Sequence, residues 1–301
     1  MPLPQEGSKK KPHTRRCGAA KGVVLTSAAL TAIIVAVFAA ETALVVALRN
    51  HRRATYIMVY IVALILLVYK SQEFIRDNIA KNGIYPVEFS HISYFVLGVT
   101  VVTGSKKMRA FASYCSMLAG LSFMIASIIS SQSMINDAAS SFSLGISVTQ
   151  HMLLWLCGFA LFLTIGHFEI KDIWIPVLGI ALMVGFSYLV HLRIIYPDFN
   201  KWDDMVIIKI AEGTILSYVI KGEISIGLRI FTVAGIAVLV AATLVLFYVV
   251  NDKYYKYKIR RCEHMGIKPD TTEIGIFPLI AKAARKKFEN KKADFYNCNK
   301  V

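Results

Sequence analysis

Ser90 and His151 are the residue types of a nucleophile–base pair, and both stand in segments otherwise built from apolar side chains. In such a pair the imidazole takes the hydroxyl proton while the oxygen attacks an ester carbonyl. Glu88 or Glu73 would orient that histidine and stabilise its cationic form. Lys70, His91, Gln150, His191, Arg193 and Glu41 are the further candidates within these segments. An ionisable residue in the middle of a membrane helix costs about 2.5–3.5 kcal/mol on insertion scales, so each is read first as functional. Each also has a plainer reading. Lys70 and Glu73, at i and i+3, can pair on one helix surface, as can Glu88 and His91. Arg193 can snorkel to the interface, and a serine such as Ser90 can bond back to the carbonyl four residues earlier. His151 can be a satisfied structural histidine.

The elements that must position these groups are membrane helices. Of 301 residues, 56% are hydrophobic and 18% charged, against about 45–50% apolar and 25% charged in an ordinary soluble domain. The excess lies in long uncharged runs, which rules out a soluble enzyme and a disordered chain. About 20 apolar residues are needed to cross the hydrocarbon core. Runs of that kind occupy roughly 23–48, 54–78, 85–103, 108–131, 143–166, 173–195 and 228–251. The expected fold is an all-α integral membrane protein of about seven transmembrane helices. Residues 1–22 form a basic N-terminal tail and 252–301 a basic C-terminal one. Within the second, Phe277, Ile280, Ala284 and Phe288 recur at helical spacing opposite Lys282, Arg285, Lys286 and Lys292, the pattern of an interfacial helix. The stretch 205–220, interrupted by Lys209 and Glu212, reads as interfacial or re-entrant; as an eighth span it would put both tails on one side.

The net charge is +15, most of it in the tails. Anionic phospholipid of the cytoplasmic leaflet is the expected partner of those tails. Nucleic acid is not, because no folded basic domain with interleaved aromatics is present. Arg49, Arg52 and Arg53 in the first loop, Lys106, Lys107 and Arg109 in the third, and the C-terminal tail place that tail in the cytoplasm of a cell-membrane protein by the positive-inside rule. The five cysteines, Cys17, Cys115, Cys157, Cys262 and Cys298, include no CxxC pair, so neither a disulfide framework nor a zinc site is indicated. No metal cluster, glycine-rich phosphate loop or dinucleotide fingerprint is visible, and no cofactor is expected.

Depth is the informative property of the polar residues. Spans three and five run in one direction, with Glu88, Ser90 and His91 in the first two turns of one and His151 about 12 Å into the other. Spans two and six run oppositely, with Lys70, Glu73, His191 and Arg193 in their last third. These groups therefore share one half of the bilayer, the outer half in the chosen orientation, and Glu41 alone lies in the other. The loop after span six, with Asn200, would cover the resulting pocket.

Span three begins Tyr85-Pro86-Val87-Glu88-Phe89-Ser90-His91, and span five carries Thr149-Gln150-His151. This order of features resembles the YwaF-like integral membrane family, the group that includes the acyltransferase transmembrane protein 164. Its members place a Pro-x-(His or Glu)-x-Cys motif at the start of the third span and a histidine in the fifth. The resemblance covers roughly 54–251 and implies transfer of a fatty acyl chain from a phospholipid to a lysophospholipid through an acyl-enzyme. Ser90 stands where the family has cysteine, and a hydroxyl is far less acidic than a thiol and depends more on its base. A catalytically inactive lipid- or partner-binding member fits the same substitution. A small-solute transporter, with Lys70, Glu73 and Glu41 as pathway charges, is the third reading; it lacks two broken spans in corresponding halves.

Overall fold

The computed structural model describes residues 26–79, 88–137, 141–195 and 225–265. Its helices are α1 (Ser27–Leu48), α2 (Arg52–Ile79), α3 (Phe89–Thr103), α4 (Lys106–Ile129), α5 (Ser131–Asp137), α6 (Ser141–Ala160), α7 (Trp174–His191) and α8 (Ile226–His264). No strand occurs among the described residues. Among the described residues, six helices are long and apolar enough to cross a membrane. The helix that answers to the third expected span, α3, has 15 residues, about 22 Å at 1.5 Å per residue. It starts at Phe89 with Glu88 as N-cap; Pro86 lies outside the described residues, as do Asn200, the 205–220 stretch and the tail pattern from Phe277 onward.

Local chemistry sets the helix ends. The Thr26 hydroxyl accepts from the Ala29 amide at the start of α1, and Ser225 does the same for Leu228 in α8, satisfying amides that have no partner within the helix. Gly104 closes α3 in the left-handed region (φ 67), where glycine carries no steric penalty.

Helices α4 and α6 form the centre of the bundle. One core cluster joins α2 and α3 to them through Tyr56, Val59, Leu66, Tyr94, Leu97, Leu154 and Leu161. A second joins α4 to α7 and α8 through Phe111, Tyr114, Met183, Leu244 and Phe247. A third packs α1 on α6 through Leu30, Ile34, Val148 and Met152, with α5 tied to α1 by a hydrogen bond between the Ser27 and Ser131 hydroxyls. The outer faces are apolar and exposed, as at Ile61, Ile65, Leu182, Phe231 and Leu239, which a water-soluble bundle avoids and a lipid-facing one requires.

Without a hydrophobic driving force between helices in lipid, close approach of small residues carries the packing. At the α4–α6 crossing the Ser113 hydroxyl donates to the Gly158 carbonyl at 2.8 Å. A Cβ on Gly158 would lie 2.7 Å from the Met117 backbone nitrogen, and one on Gly120 would lie 2.8 Å from the His151 carbonyl oxygen. Gly158→Val is therefore expected to destabilise the bundle by about 1–3 kcal/mol through overpacking, read as a lower melting temperature in detergent. Gly185→Ala, where a Cβ meets nothing within 4 Å, is the matched control, with an unchanged or slightly raised melting temperature.

Past Ala160, α6 widens into a π turn, Leu161–Ile165. Such a turn frees backbone groups from the regular ladder, and α8 supplies their partner. The fully buried Asn251 donates through Nδ2 to the Phe162 carbonyl at 3.0 Å and the Gly166 carbonyl at 3.3 Å, and its Oδ1 accepts from the Phe168 amide at 2.8 Å. Beside it His167 and Asp252 pair at 3.1 Å, with Tyr255 stacked on the imidazole at 4.3 Å. The Tyr114 hydroxyl reaches the Val240 carbonyl at 3.1 Å, so α8 runs toward the end of the bundle that carries the Arg49 and Lys106 loops, called here the basic end.

The sequence reading ends the last span near 251, whereas α8 continues to His264. Its 39 residues amount to about 58 Å, roughly twice a hydrocarbon core of about 30 Å. Between Gly235 and Gly266 there is neither glycine nor proline, so nothing in the chain stops the helix where the apolar run stops.

Candidate functional site

Three helices converge on one polar cluster. Lys70 and Glu73, one turn apart on α2, form an ion pair at 2.5 Å; the lysine side chain is 8% exposed and the carboxylate 28%. The two residues thus satisfy each other along one helix. Lys70 Nζ also sits over the face of Tyr94 from α3, 5.2 Å from the ring centre, where the ring quadrupole attracts a cation. Tyr94 is fully buried, and its ring meets the His151 ring of α6, centroids 6.1 Å apart and steeply inclined. His91, three residues before Tyr94, lies edge-on to Phe74 of α2 at 5.2 Å, near enough to Lys70 and His151 for both to act on it electrostatically.

His151 is held on two sides. Phe123 of α4 lies parallel to its ring at 3.9 Å. Its Nδ1 is 2.8 Å from the Ser147 carbonyl oxygen one turn back. A neutral ring that donates from Nδ1 to that carbonyl leaves Nε2 as the acceptor, the tautomer a general base requires. Ser90 lies four residues before Tyr94 and so shares its face of α3, one turn nearer the helix start. Among the described residues no hydrogen bond joins Ser90 to His151. Two buried polar atoms of the cluster, the Tyr94 hydroxyl and His91 Nδ1, find no hydrogen-bond partner among the described residues.

The remaining expected residues lie around or away from this centre. Gln150 is buried beside His151 on α6. Glu88 caps α3 without a side-chain hydrogen bond to its first turn. His191 ends α7, its ring 6.0 Å from that of Tyr188, and Arg193 follows in the left-handed region (φ 56); α7 packs on α4 in the second core cluster, whereas the histidine–lysine group is built from α2, α3 and α6. Tyr94, Phe74 and Phe123 were not anticipated. Tyr94 could have been found from its spacing, four residues from Ser90 and three from His91, whereas Phe123 comes from a different helix and carries no local signal.

Fold and site together define an all-helical multi-pass membrane protein with an ionic cluster inside the bundle. No protein-family model, curated protein or solved structure matches the chain.

Proposed function

We propose that this chain is a lipid-processing membrane protein that takes a phospholipid ester into the α2–α3–α6 cluster and transfers its acyl chain by way of Ser90 and His151. The observation that carries the reading is the Lys70 ammonium of the Lys70–Glu73 ion pair over the Tyr94 ring, with a buried and unused phenol hydroxyl on the residue whose ring meets that of His151. A polar guest that entered from the bilayer would meet a donor at Tyr94 and an acceptor at His151 while its chains stayed in lipid. The Ser90 oxygen would attack the ester carbonyl as His151 Nε2 takes its proton. The bond from that carbonyl to the glycerol oxygen would break, and the released lysolipid would leave with the proton from His151. A hydroxyl of a second lysolipid would then attack the acyl-serine, with His151 again the base, restoring Ser90. The resemblance to the YwaF-like family supports the same assignment.

The test is acyl transfer by the purified protein in liposomes, followed with labelled phospholipid and lysophospholipid. His151→Ala and Ser90→Ala are expected to fold normally and to lose turnover by roughly 10²–10⁴-fold, the usual contribution of a general base. A second reading, a catalytically silent lipid-binding protein, is favoured by the way Phe123 and Ser147 already satisfy His151 as a structural residue. Lipid that co-purifies with the protein and never turns over would establish that reading in place of the first.

A further inference from the structure

Glu41 belongs to no part of that cluster. It is the one ionisable residue in the 22 residues of α1, and seven residues separate it from Leu48, about 10 Å of helix. Its neighbours turn toward α6. Phe38 stacks on Trp155 with ring centres 4.5 Å apart, and the Trp155 indole N–H donates to the Thr42 hydroxyl at 3.1 Å. Val45, one turn further on, is fully buried. Glu41, itself only partly buried, stands on the same face of α1 as Phe38 and Val45, near the fully buried Cys157 of α6.

The Oε2 atom of Glu41 is buried and has no hydrogen-bond partner among the described residues. The indole donor beside it is spent on Thr42. Helices α2, α4, α5 and α6 pack against α1, and among the described residues no ion pair joins Glu41 to any of them. A carboxylate here would carry its charge in hydrocarbon with neither a counter-ion nor a donor, which membrane interiors penalise heavily. Hard metal cations need a shell of several oxygen ligands, and the seam offers aromatic rings, a valine, a thiol and the single Thr42 hydroxyl, already bonded to the Phe38 carbonyl and the Trp155 indole. A proton is the cation that fits.

We propose that Glu41 is a proton-binding site of the bundle, separate from the α2–α3–α6 cluster, in which α1 carries its carboxyl against α6 as the neutral acid and exchanges the proton with water at the basic end. The proposal does not depend on the acyl-transfer reading. The experiment uses the full chain in nanodiscs of neutral lipid. Infrared spectra of the wild type and of Glu41→Gln are compared in the region of the carboxylic-acid C=O stretch at neutral pH. Dicyclohexylcarbodiimide, which adds to protonated carboxyls in apolar surroundings, then serves as the mapping probe. The expected result is an acid band present in the wild type and missing from Glu41→Gln, with the adduct mapping to Glu41 and forming more slowly as pH rises. The glutamine variant, isosteric with the neutral acid, should keep the wild-type melting temperature. Identical spectra for the two proteins in that region would overturn the proposal, as would a Glu41→Gln variant that melts well below the wild type.

Discussion

Replacing Glu73 with leucine is expected to destabilise the bundle by about 3–5 kcal/mol, the usual consequence of stranding one member of a buried ion pair. The reason lies in the unequal burial of the partners: Lys70 would be left at 8% exposure with no carboxylate, whereas Glu73 itself is 28% exposed. The reciprocal variant, Lys70→Met, leaves the less buried of the two charges, and its cost should be clearly smaller. Removing both charges with Lys70→Met and Glu73→Leu together should recover most of the loss, because an apolar pair of similar volume is often as stable as the ions it replaces. Thermal melting of the four proteins in one detergent gives the complete cycle. Equal costs for the two single variants, or a double variant as unstable as Glu73→Leu, would mean that the charges are not held together in the way the 2.5 Å contact implies.

The second large effect is expected at Asn251, far from the ionic cluster. Asn251→Leu removes three hydrogen bonds at once and leaves the Phe162 and Gly166 carbonyls and the Phe168 amide without their partner. Each buried group so abandoned costs about 1–3 kcal/mol, although interhelical hydrogen bonds within membranes average nearer 0.6, so a loss on the order of 3 kcal/mol is expected. Hydrogen exchange locates it: the Phe168 amide should lose protection while amides in the middle of α2 keep theirs. Asp252→Asn is the control, since its partners His167 and Lys256 lie in partly exposed pairs of the kind that contribute about 0–1 kcal/mol.

Much of this architecture is written in the order of the residues. Continuous apolar runs mark α1, α2, α4, α6, α7 and the start of α8 to within a few residues, because a lipid-facing helix has no polar face to confuse its limits. The intrahelical pair Lys70–Glu73 follows from spacing alone. What spacing leaves out are relations between helices. Nothing local to Phe123 says that it lies under His151, and nothing local to Asn251 says that it serves the end of α6, since each depends on which helices become neighbours. The prolonged α8 was missed for a different reason. Hydropathy reports where the membrane ends, whereas a helix ends where glycine, proline or a cap ends it, and α8 meets none of these before Gly266.

The glycine and serine seam between α4 and α6 restricts how this bundle can move. Ser113, Gly120 and Gly158 bring the two backbones so near that even a methyl group at either glycine would collide with main-chain atoms. A contact of that kind has no slack to slide or tilt by a partial step, and parting it would open a void that neither a fatty chain nor water fills without losing every interaction at once. Helices α4 and α6 are therefore expected to behave as one rigid pair, holding Phe123 against His151.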